Sequence, residues 1–219
     1  MHKQTFSLLL IAALTTSCAA TGRSDKAASV LADLNIAVQK EDCDQASAAL
    51  ARLDGSATDP QRISQAYLAA SHACIVASDF IQAGEHAEAF LAEFPSHPSS
   101  DYAAYLSVMS RFLHWRAETQ SDRGLADAET IKQGRALLSS LSQFRSAYAR
   151  SPYIKNMIPV ARATREIVAG SELRLAKAAI SGGNFEAAAL RARYIQSHYA
   201  NTQAAAQAQD LLGALESTD

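Results

Sequence analysis

The chain has 219 residues, about one in five of them alanine, and a formal net charge of −2 at pH 7. That length suits one ordinary domain or a short repeat array, and the alanine content, with few glycines and prolines, favours helix over sheet. A charge so near zero gives no basis for nucleic-acid binding. Acidic and basic residues read as interspersed, as on solvated helix faces.

The N-terminus carries the sharpest local signal. His2 and Lys3 make a short polar start, and Phe6 to Leu14 is an apolar core too short to span a bilayer. Leu14-Thr-Thr-Ser-Cys18 follows, a small residue standing just before the cysteine. This resembles a bacterial lipoprotein signal, in which the cysteine is lipidated and becomes the first residue of the mature chain. Thr15 stands where leucine is usual. A secreted protein with an incidental cysteine is the plainer alternative. Several acyl chains, at about 0.8 kcal/mol per buried CH₂, would anchor the protein without a transmembrane helix. Ala19, rather than aspartate, follows the cysteine, which in such signals favours the outer membrane. The expected division is a signal peptide over 1–17, a lipidated tether over 18–24, a helical-repeat domain over 25–216 and a polar tail over 217–219.

Ser24 or Asp25 caps a first expected helix to about Lys40, with Val30, Leu34 and Val38 on one face. Asp42 with Gln45 three places on reads as a capping box for a second helix. Gly55 to Asp59 breaks the pattern, and Asp59-Pro60 restarts it, proline suiting the first helical position. The third helix turns Tyr67, Ala70, Ser71 and Cys74 inward. Asp79 caps a fourth, which ends before Pro95. Pro95 and Pro98 stop that helix, and Ser99 or Ser100 caps a fifth to about Arg116, rich in aromatics: Tyr102, Tyr105, Phe112 and Trp115. A sixth spans about Ala126 to Arg150. Ser151-Pro152 opens a seventh to Ser181, with a bend or break expected at Gly170. Gly182-Gly-Asn-Phe185 is a turn. An eighth helix ends near Tyr199, and Asn201 caps a ninth to about Leu215.

The even-numbered helices share one phrase. Ala46/Leu50/Leu53, Ala83/Ala87/Phe90, Leu137/Leu141/Phe144 and Ala188/Ala192/Ile195 all have the spacing i, i+4, i+7. One such triplet is ordinary amphipathicity; four at the same place in successive helix-turn-helix units indicate stacked hairpins. The expected fold is therefore an all-α tetratricopeptide-repeat solenoid of about nine helices, four to five hairpins. Such stacks curve and leave a concave groove. Repeat geometry places Gln65, Leu68, His72 and Tyr102 on that groove, between the third and fifth helices.

Antiparallel packing of the second and third helices brings Cys43, opening one, near Cys74, late in the other. An oxidising compartment permits a disulfide; two buried unpaired thiols fit the sequence equally. Catalytic motifs are lacking: no G-x-x-x-x-G-K-[ST], no G-x-S-x-G and no H-E-x-x-H. Six histidines are scattered without metal-ligand spacing, and His72 and His97 read as structural residues. Trp115 and its neighbouring tyrosines read as repeat packing before ligand contact. Neither an enzyme nor a cofactor is expected.

Three phrases carry a family resemblance: Phe90 to Leu106 with its Pro95-Ser-His-Pro-Ser-Ser-Asp-Tyr102 centre, Ser146-Ala-Tyr-Ala-Arg-Ser-Pro-Tyr153, and Gly183-Asn-Phe-Glu186 running on through Tyr199 to Ala204. With the signal sequence, they resemble the BamD/ComL family of lipoproteins of the outer-membrane β-barrel assembly machine, over roughly Ile63 to Leu212. The resemblance implies an anchored scaffold at the periplasmic face of the outer membrane. It implies that the C-terminal half binds the POTRA domains of BamA beside other assembly lipoproteins, and that the N-terminal repeats receive unfolded barrel precursors. Arg191 matches an arginine that contributes to the BamA contact in the family; its plain alternative is an exposed, solubilising charge. The sequence departs from the family where Leu53-Asp-Gly ends the first repeat and where Ala149 and Ala200 replace prolines. A diverged scaffold or pilot for a secretin or cell-wall enzyme is the alternative function.

Overall fold

The computed structural model describes residues 18–54 and 59–217, and nine α-helices account for most of them. The expected signal peptide and the turn over 55–58 lie outside the described residues, as do the last two tail residues and the Cys18 side chain. The helices are α1 (Cys18–Gln39), α2 (Cys43–Asp54), α3 (Pro60–Val76), α4 (Phe80–Glu93), α5 (Ser100–Gln120), α6 (Asp127–Ala147), α7 (Ile154–Ser181), α8 (Phe185–His198) and α9 (Gln203–Glu216). Each packs on its successor, and α1 with α3, α3 with α5 and α7 with α9 also touch. That pattern is a tetratricopeptide-like stack of helical hairpins.

Caps set the boundaries. Asp42 accepts from the Gln45 backbone N–H at 2.9 Å, while the Gln45 amide returns to the same carboxylate at 2.6 Å. The box thus closes on the Asp42 side chain rather than on its backbone. Asp59, Asp79 and Asn184 cap α3, α4 and α8 through their side chains. Three local readings change. Ser99 stands at the N-cap of α5, but its side chain makes no capping bond; the Ser100 hydroxyl donates to the carbonyl of His97 at 2.8 Å, closing the preceding turn. Thr202, not Asn201, caps α9. Gly170 does not interrupt α7, which runs unbroken for 28 residues with Pro159 inside it. The packing of α7 against α6, α8 and α9 overrides the weak helix preference of one glycine. The helical backbone of α1 also begins at Cys18, ahead of the expected start at Ser24 or Asp25.

The repeated triplets form the spine of the core. All twelve residues of the four triplets are buried, and Phe90, Ala83, Ala87, Ala188, Ala192 and Ile195 are wholly inaccessible. Alanine at these positions lets helix axes approach closely, and the buried aliphatic and aromatic surface contributes about 25 cal/mol per Å² of apolar area. One cluster joins α1 to α5 around Leu34, Leu53, Tyr67 and Phe90. A larger one joins α5 to α9 around Phe112, Trp115, Phe144, Val168 and Ile195. Gly134 of α6 sits in a tight seam with α5 and α7: an added Cβ would overlap Val168 Cγ2 and lie 2.9 Å from Trp115 Cζ2.

Candidate partner-binding surface

The most heavily built polar site lies between α6, α7 and α8. Glu172 sits in the middle of α7 with its side chain 3 % exposed. Arg135 from α6 donates to Oε1 at 2.6 Å, and Arg191 from α8 donates to Oε2 at 2.6 Å. A buried carboxylate is stable only when charge and hydrogen bonds compensate its lost hydration, and two guanidinium groups do both. The arginines remain 44 % and 41 % exposed. The trio carries one net positive charge, with guanidinium N–H groups left facing water.

Aromatic rings frame it. Arg135 lies over the Tyr194 ring at 4.8 Å, a cation–π arrangement. Burial works against the Arg135 cation, but the Tyr199 hydroxyl bonded to it, with Tyr194 and Glu172, outweighs that and raises its pKa. Burial raises the Tyr199 phenol, with the Arg135 bond opposing. Arg191 therefore has a structural task that spacing in the sequence did not reveal. The signal available was Glu172, the one charged residue on the inward face of α7.

Farther along the C-terminal hairpin, α8 and α9 border a mixed hollow of about 440 Å³, its apolar walls Phe185, Ala189, Leu190, Leu212 and Leu215 and its charged rim Glu186, Arg193 and Glu216. Phe185 and Leu190 are 56 % and 59 % exposed. Large apolar side chains left open beside polar rims mark association surfaces.

The four residues expected to line a groove separate in their surroundings. Gln65 and His72 are exposed on α3, while Leu68 is packed against the N-terminal core. Tyr102 joins a tyrosine stack: its ring centroid is 6.1 Å from Tyr105 and 5.1 Å from Tyr153, which precedes α7. Burial first, then the neighbouring phenols of Tyr153 and Tyr105, raise its pKa. The sulfurs of Cys43 and Cys74 lie at bonding distance, with Cα atoms 4.5 Å apart, and form a disulfide that joins α2 to the end of α3. His97 is held in its turn: Nδ1 accepts from the Ser99 N–H at 3.1 Å, and the ring meets Phe90 edge-on. Among the described residues, no cluster of His, Cys, Asp or Glu is arranged to hold a metal ion, and no helix is long and apolar enough to cross a membrane.

Helical hairpins stacked in this way define the class of tetratricopeptide-like helical-repeat proteins. A family model described as an outer membrane lipoprotein, YfiO, matches residues 25–215, the span of the helical array. The chain belongs to this family of BamD/ComL-like outer membrane lipoproteins. No curated protein matches it.

Proposed function

We propose that the protein is a lipid-anchored scaffold of the outer-membrane β-barrel assembly machine, held at the periplasmic face through Cys18. It binds the POTRA domains of BamA with its C-terminal repeats and aids insertion of barrel precursors. Membership of the outer membrane lipoprotein family along residues 25–215 carries this reading. Two features of the C-terminal half support it: the half-exposed Arg191, whose planar fork suits a partner carboxylate, and the hollow between α8 and α9 with the exposed Phe185 and Leu190 in its walls. The N-terminal groove, with Gln65, Leu68, His72 and Tyr102, is assigned to extended precursor segments.

The test is an affinity pull-down of the full-length lipoprotein from its own envelope, with mass spectrometry of its partners. BamA is expected among the leading partners. A clean preparation with a secretin or cell-wall enzyme and without BamA would overturn the assignment and make the protein a scaffold of that other complex.

A further inference from the structure

Charges are not interspersed throughout the chain. Residues 130–165 contain seven lysines and arginines and no aspartate or glutamate, in a protein whose net charge is −2. This stretch covers most of α6, the following turn and the first half of α7. Lys132 and Arg135 pair with Glu129 and Glu172. Arg145, Arg150, Lys155, Arg162 and Arg165 form no ion pair among the described residues.

The cationic stretch encloses an apolar groove. Leu138, Leu141 and Arg145 of α6 have the spacing i, i+3, i+7, and Ile154, Ile158, Ala161 and Arg165 of α7 have i, i+4, i+7, i+11; both sets line one hollow of about 240 Å³. Ile158 is 57 % exposed, while Leu141 and Met157 are buried in the floor. Residues 154 to 165 span about 17 Å at 1.5 Å per residue, room for roughly three turns of a second helix. Because α6 and α7 are antiparallel, Arg145 lies towards the Ile154 end and Arg165 towards the Leu138 end. The groove is apolar along its length and cationic at both ends.

We propose that the α6/α7 groove is a docking site for an acidic amphipathic helix of a partner protein. That helix presents apolar residues at i, i+3 or i+4 and i+7 to the floor around Ile158, and carboxylates near both its ends to Arg145 and Arg165. Charge complementarity selects the occupant: the only charged residues lining the groove are Arg145 and Arg165, so a basic helix would meet a cation at each end. The concave floor between two helices fits an inserted stripe of side chains better than the plane of a bilayer. The site is separate from the Arg191 surface and does not depend on which assembly the protein serves.

The experiment places a photo-crosslinking phenylalanine analogue at position 158 of the full-length lipoprotein in its native envelope and maps the crosslinked segment by mass spectrometry. The expected adduct is a protein segment of net negative charge with that apolar spacing. The double variant R145E/R165E, checked for an unchanged circular-dichroism melt, should lower the adduct yield about tenfold, equivalent to ~1.4 kcal/mol. The mapped segment, made as a peptide, should bind the purified protein and weaken with added salt. A segment without carboxylates, an adduct to phospholipid only, no adduct, or a yield unchanged by the double variant would each overturn the proposal.

Discussion

Arg191 and Glu172 face each other across the α7–α8 packing seam at 2.6 Å, one half exposed and the other almost wholly buried. The same carboxylate is held at equal distance by Arg135, so either arginine can neutralise it alone. Alanine at Arg191 should therefore cost no more than about 1.5–3 kcal/mol, the worth of one charge-assisted hydrogen bond. Removing both arginines strands a buried charge and should cost about 3–5 kcal/mol. Urea denaturation of the two single variants and the double variant checks this. Equal losses in single and double variants would mean that the arginines do not share the charge. The single-variant stability must also accompany any pull-down with R191A, since lost docking counts only when the fold is intact.

Gly134→Ala should destabilise the protein even though alanine is the better helix former. The helix preference contributes about 1 kcal/mol in favour. The added methyl would overlap Val168, which is fully buried, and press on Trp115. Neither side chain can swing to solvent, so overpacking of about 1–3 kcal/mol or more should prevail. Denaturation midpoints and the near-ultraviolet signal of Trp115, the single tryptophan, report both the loss and its place.

Reduction of the Cys43–Cys74 bond, which closes a separation of 31 residues, should lower stability by about 3–4 kcal/mol on chain-entropy grounds. The measurement is thermal unfolding with and without reductant, with C43S/C74S as the reductant-insensitive reference. Identical melts in all conditions, with two free thiols found by labelling, would remove the bond from the account.

Stability should fall in alkali partly through Tyr102. Its phenol has a pKa raised above the ordinary 10.0, chiefly by burial, so the folded protein keeps this proton to higher pH than the unfolded chain does. The contribution is complete below pH 10 and is lost as pH rises through the raised value. Tyr199 is shifted in the same direction. Denaturation midpoints should decline once the pH passes about 10, and Tyr102→Phe should flatten the decline without abolishing it. An unaltered slope in that variant would show that the stack does not hold the proton.

The helices were legible because their signals are local. The i, i+4, i+7 triplets, Asp59-Pro60, Asp79 and the Gly182-Gly183-Asn184 turn each act within a few residues, and helix pairs joined by short turns have little choice but to pack antiparallel. The errors were also local. Thr202 displaced Asn201 as a cap, and Gly170 stayed helical, because packing between helices decides among near-equivalent local choices.

An all-α stack of hairpins follows from the chain's local signals, since the period of its apolar residues and its stop signals specify elements and their order. Tertiary structure alone decided which charges are balanced. Glu172 lies 37 positions from Arg135 and 19 from Arg191, and only the approach of α6 and α8 to α7 joins them. The same approach leaves Arg145 and Arg165 unpaired at the ends of an apolar groove. Pairing of charges depends on distances between helices, and no periodicity along one helix encodes those.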